Sequence, residues 1–188
     1  MVTHAFGNEA AANRFDLSGF TGEGYDKGRS IPVQILWLAI SRLIVRKWWC
    51  PNALRVALLR AFGATIGAGT IIRSDVKIHW PWKLTLGSHC WIGEEVWILN
   101  LEPVTIGANT CISQAALLCT GSHARRSPTF EFDNGPIVVG NSVWVGARAT
   151  ILRGVDIGDG ATLGATALVP HDVKSGEVVL APKGVSQP

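Results

Sequence analysis

His123 is the residue best placed, by type and position, to do chemistry. It ends the run Cys119-Thr120-Gly121-Ser122-His123 and opens a polar stretch that reaches Gly135-Pro136. A neutral imidazole of ordinary pKa, near 6.5, can take the proton from a hydroxyl or amine nucleophile at neutral pH. A histidine taken at random is more often a surface or structural residue, so its location has to carry the argument. Cys119, four positions earlier, offers a second chemistry: a thiolate beside an imidazole would pass through a covalent intermediate. A metal hydratase would need three converging histidines. His79, His89 and His123 lack that spacing, so no metal is expected.

The location comes from a repeat. Val139, Val145, Ile151, Ile157, Leu163 and Val169 return every sixth residue, a period that no α-helix has. Strands alternate faces every two residues, so a period of six fits three short faces wound into a coil. Gly140, Gly146, Gly158 and Gly164 follow the aliphatic residue, at corners where the backbone bends sharply or packs closely. The repeat begins at Ile66 and runs through Ile72, Ile78, Leu86, Ile92, Ile98, Ile106, Ile112 and Leu118, with two-residue slips before Leu86 and Ile106. Leu118 to Val139 spans twenty-one residues where six would do. About fifteen residues must therefore leave the coil, and a long loop thrown from a regular scaffold is more often functional than decorative. His123 stands where that loop departs.

Composition sets outer limits. Among 188 residues, 47% are hydrophobic and 16% charged, which excludes a disordered chain. A formal charge of +3 is too small to argue for nucleic acid. The basic charge is local: no acidic residue lies between Asp26 and Asp75, a span holding Arg42, Arg46, Lys47, Arg55 and Arg60. Four cysteines without a CxxC pair suggest reduced thiols, and the N-terminus has no apolar signal core, so a cytoplasmic protein is expected.

Residues 1–62 read as an irregular glycine-bearing arm that wraps, followed by two amphipathic helices; 63–175 read as the coil with loop 123–136; 176–188 read as a C-terminal tail. The first helix, from Ile31 toward Trp48-Trp49, is too short for a bilayer span. The second starts at Asn52 as N-cap, carries Leu54, Ala57, Leu58 and Ala61, and stops at Gly63. Two roles are open for them. They can cap the end of the solenoid, or lay tryptophans and arginines on an anionic membrane surface.

The chain resembles the hexapeptide-repeat acyltransferases, closest to the colanic-acid-biosynthesis acetyltransferases. The resemblance spans roughly residues 31 to 180. It rests on Leu58-Leu59-Arg60-Ala61-Phe62-Gly63-Ala64, Trp80-Pro81-Trp82-Lys83-Leu84, Trp91-Ile92-Gly93-Glu94, Ile112-Ser113-Gln114, Cys119-Thr120-Gly121-Ser122-His123, Ser127-Pro128-Thr129-Phe130 and Pro136-Ile137-Val138-Val139. It implies a mainly β fold, a left-handed parallel β-helix assembling as a homotrimer with acetyl-CoA between subunits. It also implies direct acetyl transfer to a sugar or glycan hydroxyl, with His123 as general base. A small xenobiotic acceptor and a non-catalytic structural solenoid are the alternatives.

The same resemblance suggests further residues. Asn100 is a candidate acceptor contact, or else a tie across the slip; Ser113 and Gln114 are weaker acceptor candidates. For acetyl-CoA the candidates are Trp144, Gly146, Ala147, Gly164, Ala165, Thr166 and Lys183. Many relatives carry an acid directly after the histidine. Here Ala124 stands there, so the imidazole must be oriented from elsewhere.

Overall fold

The structure, a computed structural model, describes residues 15–182. From Ile66 to Val169, every aliphatic of the six-residue repeat points inward, none more than 6% exposed. Sixteen short strands, β1 to β16, form three parallel sheets that wrap one core. The first face holds β1 (Thr65–Ile66), β4 (Leu84–Leu86), β7 (Val104–Ile106), β10 (Ile137–Val139) and β13 (Asp156–Ile157). The second holds β2 (Ile71–Ile72), β5 (Trp91–Ile92), β8 (Cys111–Ile112), β11 (Trp144–Val145), β14 (Thr162–Leu163) and β16 (Val178–Val179). The third holds β3 (Lys77–Ile78), β6 (Trp97–Leu99), β9 (Leu117–Cys119), β12 (Thr150–Leu152) and β15 (Leu168–Val169). The chain is the expected parallel β-helix, and β16 carries the pairing past residue 175.

Register explains why the repeat tolerates its interruptions. Ile66 stacks on Leu86, Leu86 on Ile106, Ile106 on Val139 and Val139 on Ile157, so slips and loop alike leave the inward column unbroken. All three insertions, Trp80–Lys83, Asn100–Pro103 and the loop after Cys119, fall at the corner between the third and first faces. The glycine after the aliphatic proves to serve close packing. A Cβ on Gly67 would lie 2.4 Å from the Ser88 backbone nitrogen on the next coil. The bend itself sits two residues later, where Asp75, His89, Glu95, Asn109, Ala115, Ser142, Arg148 and Thr166 adopt positive φ.

Parallel pairing leaves the carbonyls of the first coil without strand partners, and the helices supply donors. Arg60 Nη2 donates to Ile66 O at 2.5 Å, Asn52 Nδ2 to Thr70 O at 3.0 Å, and Trp37 Nε1 to His79 O at 2.9 Å. Arg55, 4% exposed, donates to the carbonyls of Val45, Lys47, Cys50 and Ile72. Burial lowers its pKa, yet carbonyl oxygens surround the cation. The helices therefore close the end of the coil.

Two helix details differ from the sequence reading. Helix α2 (Asn52–Ala61) has Pro51 as N-cap, because the Asn52 amide is spent on Thr70 O and on Ile72 N. Its inward face is Arg55, Val56 and Leu59, while Leu54, Ala57 and Ala61 are exposed; the carbonyl-binding guanidinium takes the inner position. Gly63, at φ +99°, ends the helix as expected. Helix α1 (Ile31–Ile40) buries only Gln34 and Trp37 and continues into a π-turn at Ser41–Val45. Ile31, Ile35, Leu36 and Leu38 face outward, while Ile40 packs against the core.

Candidate active site

The excursion after β9 folds back on itself. His123 and Phe132 form an antiparallel bridge, Ala124 N donates to Glu131 O at 2.8 Å, and Asp133 N donates to Ser122 O at 2.9 Å. Asn134 Oδ1 accepts from Ser122 N, and an ion pair between Arg153 and Asp133 ties the loop to the coil. This turns a fifteen-residue insertion into a small rigid hairpin.

His123 is half-buried, with its ring stacked on Phe130 at 4.5 Å and on Phe132 at 5.2 Å between centroids. Its Nδ1 lies 2.8 Å from the Phe130 carbonyl oxygen. A carbonyl only accepts, so Nδ1 carries the proton and Nε2 keeps its lone pair. No described residue hydrogen-bonds Nε2. The missing acid after the histidine is thus replaced by a backbone carbonyl seven residues on.

The arm does wrap, and it wraps this loop. Asp16 N donates to Pro128 O at 2.7 Å, Phe15 stacks on Phe130 at 4.2 Å, and Phe20 meets the His123 ring edge-on at 5.8 Å. The Glu131 carboxylate receives Thr21 N at 2.9 Å and Gly22 N at 3.0 Å. These bonds, led by the Thr21 amide, hold the Glu131 carboxyl below its ordinary value. Farther along, Trp80 Nε1 donates to Tyr25 Oη at 2.5 Å, and burial pushes the Tyr25 phenol up. None of this was readable from spacing, because partners such as Thr21 and Glu131 stand 110 residues apart.

Asn100 is fully buried. Its Oδ1 accepts from Trp80 N at 3.0 Å and its Nδ2 donates to Trp80 O at 2.6 Å, so the amide bridges the two insertions. Both bonds go to one backbone residue and the side chain is wholly buried, so Asn100 presents no polar atom to solvent in this chain and serves the fold as the tie across the slip. Ser113 and Gln114 lie at the corner between the second and third faces, where Ser113 Oγ accepts from Trp144 Nε1 at 3.1 Å. Together with Ile71, Arg73, Trp91 and Cys111 they line a cleft of about 420 Å3.

The described donor-site candidates share that corner. Gly146-Ala147 and Gly164-Ala165-Thr166 stack on successive coils, Thr166 N donating to Ala147 O at 2.8 Å, and Arg148 N donates to Gln114 O at 2.9 Å. Trp144 is exposed beside them. Lys183 lies outside the described residues. His123 is not with this group: it stands at the far end of β9, across the width of the third face. One chain therefore presents an imidazole on one edge and a column of small residues on another. Cys119 Sγ hydrogen-bonds Gly121 O at 3.3 Å, and no group of three metal-ligating side chains occurs among the described residues.

Comparison with known proteins fits this architecture. The family description "Bacterial transferase hexapeptide (six repeats)" matches residues 136–171. The chain is 45% identical over 158 residues, 82% of its length and 85% of the relative's, to the "Putative colanic acid biosynthesis acetyltransferase WcaF" of Escherichia coli (strain K12). It is 30% identical over 122 residues, 63% of its length and 60% of the other's, to the galactoside O-acetyltransferase of the same organism. Among solved structures, the hexapeptide-repeat acetyltransferase VCA0836 of Vibrio cholerae O1 biovar eltor, complexed with acetyl coenzyme A, superposes with a TM-score of 0.75. That match has 25% identity and covers 85% of this chain and 89% of the other. Repeat, loop and sequence likeness agree that the chain belongs to the hexapeptide-repeat acyltransferase family.

Proposed function

We propose that the protein is an acetyl-CoA-dependent O-acetyltransferase acting on a sugar hydroxyl in polysaccharide or lipid-linked glycan assembly, on the cytoplasmic side. Family membership supports the acetyl donor, and the names of WcaF and the galactoside enzyme support a sugar acceptor. The observation that carries the chemistry is the free Nε2 of His123, created by the Nδ1 bond to Phe130 O.

In this mechanism Nε2 takes the acceptor hydroxyl proton as the oxygen attacks the thioester carbonyl carbon. The tetrahedral oxyanion is met by backbone N–H groups, the carbon–sulfur bond breaks, and the imidazolium returns its proton to the departing thiolate. The products are the acetyl ester and free CoA thiol. A placed base of this kind contributes about 100- to 10,000-fold.

The donor groove we propose runs along Gly146-Ala147 and Gly164-Ala165-Thr166 beside Trp144, with Lys183 toward the CoA phosphates. Close coil stacking supports it: a Cβ on Gly146 would lie 2.6 Å from Ala165 N, so no side chain rises from that position. Ser113 and Gln114, at the same edge, are proposed to meet substrate. Because His123 and this edge lie apart in one chain, the complete site is formed between subunits of a homotrimer. The outward residues support that assembly. Ile71, Trp91, Trp144 and Val178 on the second face, and Trp97 and Leu168 on the third, are exposed hydrophobics, whereas the first face shows Thr65, Thr85, Thr105 and Asp156 with Val138 as its one such residue among the described ones.

Thiol release from acetyl-CoA, measured against a panel of mono- and oligosaccharides, tests the reading. A sugar-dependent rate that disappears in His123→Ala is expected. A protein that binds acetyl-CoA yet shows no sugar-dependent release would overturn the acceptor assignment. A solution mass of a single chain would overturn the shared site.

A further inference from the structure

Helix α1 is oriented the wrong way round for a helix in water. It buries Gln34 and Trp37 and turns Ile31, Ile35, Leu36 and Leu38 outward, with Ile35 61% exposed. The exposed series continues through Leu43 at 67% and Trp48 at 85% to Trp49. Single exposed apolar residues need no explanation, but seven within nineteen residues form a continuous patch of the kind that marks a docking surface. No helix among the described residues is long and apolar enough to cross a membrane.

The charges in this segment indicate the occupant. Arg42 and Lys47 are exposed among these residues and take part in no ion pair among the described residues, and Arg46 pairs with Asp75 at 2.6 Å. The segment itself carries no carboxylate from Lys27 to Ser74. Asp75, Glu94 and Glu95 of the coil border it, Asp75 paired with Arg46 and Glu94 with Arg73, which leaves Arg42 and Lys47 as the unpaired charges of residues 31–49 among the described residues. Exposed tryptophans next to cations, on a short helix with a wide apolar face, match the chemistry of an anionic bilayer surface. The patch also lies at the first-coil end of the prism, where Trp37 and Arg55 clamp it to the carbonyls of Ile72 and His79. At that end it adjoins the second and third faces proposed for subunit contact, Trp48 lining a depression with Ile71, and Leu38 and Arg42 lining one with Lys77 and Trp97; three copies would present it in the same direction.

We propose that the segment 31–49 lies in the headgroup region of an anionic lipid leaflet, holding the prism upright with its first coil toward the membrane. Binding is reversible and salt-sensitive, since it couples apolar insertion to a few cations. The inference does not depend on the reaction at His123.

Flotation with phosphatidylcholine vesicles containing about 30% phosphatidylglycerol tests it directly. The full chain should float with these vesicles and mostly remain behind with pure phosphatidylcholine. Trp48→Ser/Trp49→Ser should lower the bound fraction at least about tenfold, and Arg42→Gln/Lys47→Gln should weaken binding to anionic vesicles only. All these side chains are exposed, so far-UV circular dichroism and thiol release with a soluble acceptor should match the parent. Failure of the parent to float, or equal flotation of parent and tryptophan variant, would overturn the proposal. A fall in solution mass in the tryptophan variant would overturn it as well, assigning the patch to another copy of the chain. Loss of acetyl transfer with flotation intact would count against the proposed enzyme function alone.

Discussion

The imidazole of His123 lies nearly parallel to the ring of Phe130, their planes 7° apart, while its Nδ1 points at the carbonyl oxygen of the same residue. One residue thus fixes both the plane of the imidazole and its tautomer. Phe130 itself sits at φ +55°, where bulky residues rarely go, so the loop is built to hold this arrangement.

The two contributions separate by mutation. His123→Ala should reduce kcat by at least about 100-fold with the oligomeric mass unchanged. Phe130→Leu keeps the carbonyl and loses the stacked ring, so a fall in kcat of about 10- to 100-fold is expected from imperfect orientation. Steady-state kinetics with parallel thermal melts decide it, and a Phe130→Leu enzyme of full activity would show the ring to be dispensable.

Glu131 should make arm docking depend on acid. Its carboxyl is held below the ordinary glutamate value by the Thr21 and Gly22 amides. The stabilisation is complete above the ordinary pKa near 4.3 and is lost as pH falls through the lower folded value. Protection of the Thr21 and Gly22 amides, their exchange taken relative to the intrinsic rate at each pH, should fall on acidification through that window. In Glu131→Gln the same amides should exchange fast at every pH, and a parent-like profile in that variant would remove Glu131 from the arm contact.

Asn100→Ala should weaken the fold and spare the chemistry. Losing both bonds strands the Trp80 N–H and carbonyl in a buried corner, at about 1–3 kcal/mol for each unsatisfied group. Denaturant unfolding should show this loss, with acceptor KM unchanged in the folded fraction. A raised KM at unaltered stability would return Asn100 to the acceptor site.

Thr166 is β-branched and sits at φ +62°, a conformation that costs roughly 1–2 kcal/mol for residues other than glycine. Thr166→Asn should therefore raise stability by about 1 kcal/mol, since asparagine enters that region more readily. If Thr166 lines the donor groove, the gain in melting temperature should come with weaker acetyl-CoA binding. Differential scanning fluorimetry and calorimetric titration measure the two effects on one sample.

The coil was legible because its signal is local. Ile66, Ile92 or Leu163 declares its inward direction from its neighbours within six residues, and the register follows. The departure point of the loop was legible for the same reason, as a break in an otherwise even count. What spacing did not reveal was long-range: the arm lying on the loop, Phe130 O orienting the base, and Asn100 clasping Trp80 across a coil. Nor did the pattern of α2 reveal that Arg55 would point inward, since hydrophobicity ranks arginine last for such a place and four carbonyls converging on the guanidinium reverse the ranking.

Every departure from the six-residue count lies on one edge of the prism, and the inward column passes each without shifting register. That edge works as an expansion joint. Segments of new length and composition can be spliced in there while the remaining two edges stay in step. The hairpin and the arm that covers it can then be lengthened or rewritten, with the edge proposed for the donor inherited intact.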